Sequence, residues 1–215
     1  MLEPADSQQC YDYFILATEL SKRFGTPVIL RLTTRVCHSK TIVSIGTFSE
    51  PKTPSYTKDA KSHVMVPAFA RLAHLRLRKR LHDMEEWNVK EGPCTFLGPE
   101  NAKQGVIATG ISAMHAAEAL PEARIMQPGM TYPLPMDKIR EFVNAHDENM
   151  VVEEGDPIVV ETLLAAGMKV RGKKEAFRYG ELNVARVKKL AADDVTPDPA
   201  PAPRKPPPLC PGCPP

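Results

Sequence analysis

No stretch of this chain stays apolar for the roughly 20 residues that a membrane-spanning helix requires, so the sequence offers no such span. An excess of charge of one sign is missing as well. Lys and Arg number 28 against 26 Asp and Glu, and a net charge of +2 makes no field that would draw the chain to nucleic acid or to an anionic membrane. Cysteine is sparse and odd in number, with five residues scattered at Cys10, Cys37, Cys94, Cys210 and Cys213, which excludes a disulfide framework and fits a reducing compartment. The opening "MLEPADSQQC" is acidic where a secretory leader would be basic and then apolar, and the expectation is a cytoplasmic protein. Proline, by contrast, is abundant and crowds the far end, in "TPDPAPAPRKPPPLCPGCPP".

A chain of 215 residues can bury the core of one full domain and part of a second. Asp6 with Gln9 three residues on has the form of a capping box. Tyr11, Phe14, Ile15, Leu20 and Phe24 recur near helical spacing, and Gly25 stands where a left-handed cap ends a helix. "TPVILRLTT" then predicts a parallel strand covered on both faces. A lone helix and strand cannot bury their apolar sides, so the expectation is that material preceding residue 1 is missing and that residues 1–49 pack on a later unit or are loosely held.

Residues 50–100 read as a connector that carries one basic amphipathic helix, "FARLAHLRLRKRLHDMEEW", with "KEGPCTFLGPE" as loop. No aromatic residues are interleaved with its charges as a nucleic-acid platform requires, so the helix is expected to lie solvated on the body of the protein. From residue 101 to 194 the alternation is regular. "QGVIATG", "ARIMQPG", "NMVVEE" and "MKVRG" predict four strands, while "ISAMHAAEAL", "PMDKIREFVNAHD" and "PIVVETLLAAG" predict three helices between them. The fold class expected is α/β, a small and mostly parallel sheet with flanking helices. Residues 195–215 are proline-dominated, hence extended and semi-rigid, a linker outside any packed core.

Gly110 falls between a strand and a helix, a tight turn rather than a dinucleotide fingerprint, which needs further glycines. Glu153 and Glu154 end a strand, and Asp156 precedes Pro157 as a candidate helix N-cap; capping and interface contacts fit these carboxylates better than acid/base work or metal binding. His115 reads as a packed or half-exposed helical histidine. Arg31, Thr33, Thr34, Arg35 and His38 cluster at the carboxyl end of the presumed first strand, where open α/β sheets gather ligands, and they are equally compatible with ligand contact and with loop structure. Cys210 and Cys213 could grip one iron or zinc, with Pro211 and Gly212 as the turn between them. A closed site needs two more ligands that no other cysteine is spaced to supply.

Taken in order, "LEPADSQQCYD", "RLTTRVCHS", "YPLP" with "IREF", "VVEEGDP" and "LCPGCP" resemble the alpha subunits of indolepyruvate:ferredoxin oxidoreductases, members of the thiamine-diphosphate-dependent 2-oxoacid:ferredoxin oxidoreductases. The resemblance extends over nearly the whole chain. It implies that residues 1–49 are the C-terminal remnant of a pyrimidine-binding domain, that 101–194 form a transketolase-C-like domain, and that 195–215 lead into a pyrophosphate-binding domain. Arg31, Thr33, Thr34, Arg35 and His38 would belong to a substrate or active-site loop, and Cys210 and Cys213 to an incomplete metal set.

The implied chemistry is coenzyme A-dependent oxidative decarboxylation of indolepyruvate and other aryl 2-oxoacids. Thiamine diphosphate, magnesium and 4Fe-4S clusters carry that chemistry, ferredoxin accepts the electrons, and a second (beta) subunit is the partner. The family's thiamine-activating acid, its magnesium-binding stretch and its ferredoxin-like cysteine runs have no counterpart in this sequence. The chain is accordingly expected to be a fragment of such a subunit, inactive alone. The alternative is a stand-alone subunit-interaction module whose Cys-x-x-Cys completes a metal or cluster site in trans.

Overall fold

A computed structural model of the chain describes residues 1–47 and 57–199. The first helix, α1 (Ser7–Phe24), starts where Asp6 accepts a hydrogen bond from the Gln9 amide at 2.8 Å and stops at Gly25, whose φ of 56° is left-handed. Gln9 does not close the box on Asp6. Its side chain accepts from the Ala5 amide at 2.8 Å and pairs with the buried amide of Gln127, which ties the helix start to the sheet.

After α1 come α2 (Thr34–His38), α3 (Ala60–His63) and the long α4 (Pro67–Lys90). The last turns of α4 are anchored: Met84, Trp87 and Asn88 are buried, and the Asn88 amide donates to the Met130 and Pro133 carbonyls at 3.1 and 2.9 Å. Its earlier turns are solvated as expected, with Leu72, Leu75 and Leu77 all exposed. Among the described residues no helix is long and apolar enough to cross a membrane.

The sheet contains β1 (Cys94–Leu97), β2 (Gln104–Ala108), β3 (Arg124–Pro128) and β4 (Glu148–Val152), in the order β1-β3-β2-β4. β2 runs parallel to both β3 and β4, and β1 is an antiparallel edge on β3. Between and beyond the strands lie α5 (Ser112–Ala119), α6 (Met136–Asn144), α7 (Ile158–Ala165) and α8 (Val184–Ala191). Strand side chains alternate between two cores, as the two-residue period requires. Val106, Ala108, Ile125, Met150 and Val152 face α5 and α8, while Ile107, Met126 and Val151 face α6 and α7. Burial on both faces explains why these strands read as continuous apolar runs.

The α/β class is the one expected, but the helices α2, α3 and α8 were not, and three expected readings differ. "KEGPCTFLGPE", taken as loop within the connector, supplies β1; four residues between glycine and proline signals are too few to show a period. "MKVRG" is not a strand. Arg171 makes one isolated bridge to Met150, with hydrogen bonds from Val151 to its carbonyl and from its amide to Asn149. "TPVILRLTT" is extended but forms only a bridge between Leu30 and Leu2, leaving Ile29 and Leu32 exposed. It has no sheet of its own to join.

Residues 1–3 supply the missing pairing instead. Leu2 donates to the Ile29 carbonyl and accepts from Arg31, while Glu3 donates to Gly129 and Met1 accepts from Thr131. Leu2, Tyr13 and Leu20 then bury with Trp87 and Met130, so of the two arrangements expected for the N-terminal segment it takes the packed one.

Candidate functional site

The parallel strands β2, β3 and β4 end at Ala108, Pro128 and Val152, and the connection from β2 leaves towards the opposite face from those of β3 and β4. Such a divergence opens a crevice at the carboxyl ends of the strands. Residues 2–5 lie buried in it. Gly110, with a left-handed φ of 51°, turns the chain from β2 into α5 as the sequence suggested; a β-carbon there would stand 3.6 Å from the Glu3 carboxylate. Glu3 accepts from the Thr131 hydroxyl at 2.9 Å and from Arg31 at 2.8 Å. This pair carries Arg31 to the sheet's carboxyl end.

All five residues singled out in "RLTTRVCHS" meet at one cleft. Arg31, Thr33, Thr34, Arg35 and His38 line it with Glu154, Gly155, Arg178 and Glu181, around a volume of about 660 Å³. Extended backbone at Thr33 turns directly into α2, which places the later residues around the same opening. Arg35 grips Glu181 with two hydrogen bonds of 2.6 Å, and this contact holds the Glu181 carboxyl below its usual range. His115 Nε2 lies 3.7 Å from the same carboxylate, as befits a largely buried helical histidine. Thr33 Oγ1 and Glu154 Oε1 are buried in the cleft wall without a hydrogen-bond partner among the described residues. Cationic groups, a free hydroxyl and a free carboxylate oxygen therefore converge there.

The two adjacent glutamates part company. Glu153 accepts from the amides of Val159 and Val160 at 2.8 and 2.9 Å and so caps α7 from the end of β4. Burial pushes its carboxyl up, against the pull of those two amides and of Lys173. The capping role forecast for the carboxylates thus falls to Glu153 and not to Asp156, because Pro157 occupies the cap position and Glu153 reaches the amides from the neighbouring strand. Glu154 turns to the cleft. Lys173 donates to the carbonyls of Glu153 and Gly155 and fixes the loop that separates the two roles.

A second cavity of about 540 Å³ adjoins the first, and Arg31, Glu154 and Gly155 line both. Arg178 and Glu181 carried no sequence signal, since they come from "FRYGEL", more than a hundred residues beyond the Arg31 segment. Cys210 and Cys213 lie outside the described residues. Among the described residues no three His, Cys, Asp or Glu side chains converge as a metal site.

Comparison with known proteins sets this geometry in context. No protein-family model matches the chain. Indolepyruvate oxidoreductase subunit IorA of Methanothermobacter thermautotrophicus is 34% identical over all of the chain and 38% of its own length. The subunit of the same name from Archaeoglobus fulgidus is 31% identical over the same shares. The chain is similar to these subunits over its whole length. It spans 38% of their length, so it is the counterpart of a segment of them. Among solved structures, a 2-oxoglutarate:ferredoxin oxidoreductase from Magnetococcus marinus superposes on 91% of the chain and 42% of its own, with a TM-score of 0.61 and 15% identity. That likeness concerns the fold.

Proposed function

We propose that this chain is part of the alpha subunit of a thiamine-diphosphate-dependent indolepyruvate:ferredoxin oxidoreductase, and that it supplies a 2-oxoacid-binding loop rather than a complete active centre. The observation that carries this is the meeting of Arg31, Thr33, Thr34, Arg35 and His38 at one cleft beyond the carboxyl ends of the strands. Arg31 has one guanidinium nitrogen on Glu3, while its Nη2 stands against Gly155, where a β-carbon would lie 3.8 Å away. A substrate carboxylate fits between this guanidinium, the Thr33 hydroxyl and His38. Arg35, held by Glu181, positions α2 and adds positive potential.

Residues 1–49 in this proposal are the end of a pyrimidine-binding domain, 101–194 a transketolase-C-like domain to whose sheet the preceding β1 adds an edge strand, and 195–215 the lead into a pyrophosphate-binding domain. The rest of the subunit, a beta subunit, ferredoxin and coenzyme A complete the system in the cytoplasm. The described residues do not fit thiamine diphosphate, its magnesium or a cluster: Glu3 is taken up by Arg31 and Thr131 and Glu153 by the α7 amides, and neither Glu154 nor any other residue among them joins a group of three His, Cys, Asp or Glu side chains that could share a metal. No step through those groups is assigned to this chain.

Two measurements test the proposal. The purified chain with thiamine diphosphate, magnesium, coenzyme A and indolepyruvate should not reduce methyl viologen, and turnover would refute the role of partial subunit. Pyruvate titrated into 15N-labelled protein should shift the amides of residues 31–38. Arg31→Gln should weaken that binding about tenfold or more, the worth of a hydrogen bond to a charged group. Binding unaffected by Arg31→Gln would refute the carboxylate site.

A further inference from the structure

The cavity behind Arg31 has a different character from the cleft in front of it. Its walls are apolar, formed by Pro27, Ile29, Leu81, Met84, Ile158 and Val159. Pro27, Ile29 and Arg31 follow one another at a spacing of two along an extended segment, which points them to one side, while Val28 and Leu30 between them pack into the core with Leu2 and Met130. One short stretch of backbone thus presents two apolar side chains and then a guanidinium to the same space. Four carboxylates line this wall, of which two are engaged and one, Asp156, is exposed to solvent. Glu3 is held by Arg31 and Thr131, and Glu153 by the α7 amides, which leaves Glu154, a residue that lines both cavities and whose Oε1 is buried without a partner among the described residues.

We infer that this second cavity is the binding pocket for the aryl side chain of the 2-oxoacid, with Glu154 Oε1 placed to accept a ring N–H. The inference rests on the carboxylate site proposed above and adds to it the residues that choose the side chain. A planar bicyclic ring fits within about 540 Å³ of space once its carboxylate is on Arg31. The apolar walls favour an aryl group over a methyl group. A buried acceptor left unpaired disfavours a ring that lacks a donor, and so the pocket should rank indole above phenyl.

The test is a titration of the full chain with indolepyruvate, phenylpyruvate and pyruvate, followed by amide shifts and calorimetry. Affinity should fall in that order, with about tenfold or more between indolepyruvate and pyruvate. Ile29 and Ile158 are 64% and 69% exposed, so Ile29→Asp and Ile158→Asp should fold normally. Each should cut the ratio of indolepyruvate to pyruvate affinity at least tenfold, roughly the discrimination an apolar pocket supplies. If pyruvate binds as well as both aryl acids, or if neither variant changes the ratio, the pocket assignment is overturned while the carboxylate site stands. Phenylpyruvate binding as well as indolepyruvate would remove the role of Glu154. If none of the three acids binds, the carboxylate site and the pocket fall together.

Discussion

Replacing Glu153 by alanine removes a cap that α7 cannot obtain from its own sequence, since Pro157 at the cap position offers no side-chain acceptor. Two amides, of Val159 and Val160, lose partners at 2.8 and 2.9 Å in a buried setting. Two such bonds, each worth about 1–1.5 kcal/mol net, put the loss at about 2–3 kcal/mol. With a urea slope of about 2 kcal/mol/M, the unfolding midpoint should fall by about 1 M or more. Glu153→Gln keeps one acceptor and should lose about half as much.

The pH dependence distinguishes this cap from a surface contact. Burial raises the Glu153 carboxyl above its ordinary value of 4.5, so its favourable contribution is complete below that value and is lost as pH rises through the raised one. The stability advantage of the natural chain over Glu153→Gln should therefore shrink as pH climbs across that window. Urea titrations followed by circular dichroism at several pH values measure both effects. A midpoint for Glu153→Ala equal to that of the natural chain, or an advantage that grows with pH, would refute the assignment.

Other substitutions test how the N-terminal segment is held. Leu2→Ala empties a site that is fully buried against Leu30 and Met130 and should cost about 2–5 kcal/mol, read as a lowered midpoint. Gly129→Ala would put a β-carbon 2.3 Å from the Tyr13 hydroxyl and 2.9 Å from Pro93, so it should destabilise by about 1–3 kcal/mol and be partly rescued by Tyr13→Leu. Burial pushes the Cys94 thiol up to about 11 and also raises Cys10, whereas Cys37 is exposed. Iodoacetamide at pH 8 should accordingly label Cys37 before Cys10 and Cys94, as peptide mass spectrometry would show.

Much of the α/β unit was legible because its elements are long or strongly patterned. The runs "GVIA", "RIMQ" and "NMVV" could only be strands buried on both faces, and the Asp6 and Gly25 signals bracket α1 within a residue. What escaped was short or non-local. β1 has four residues and is a strand only because β3 offers an edge, and α8 needs α5 and the sheet to show which of its faces is apolar. "TPVILRLTT" has strand composition without a strand's partners, so propensity alone overstated it.

The grouping of Arg31, Thr33, Thr34, Arg35 and His38 came from the sequence by itself, because they lie within eight residues and any compact conformation keeps them near one another. So did the α/β alternation and the turn at Gly110, which local backbone preferences and hydrophobic periodicity dictate. Only the tertiary structure decided what those residues face. Residues 1–3 bridge two distant segments and, with the Glu3–Arg31 pair, bring the loop against Glu154, Gly155, Arg178 and Glu181, none of them a sequence neighbour. The division of labour between Glu153 and Glu154 was settled there too, since the sign of a carboxylate's role depends on whether amides or open space lie in front of it, and that is a property of packing.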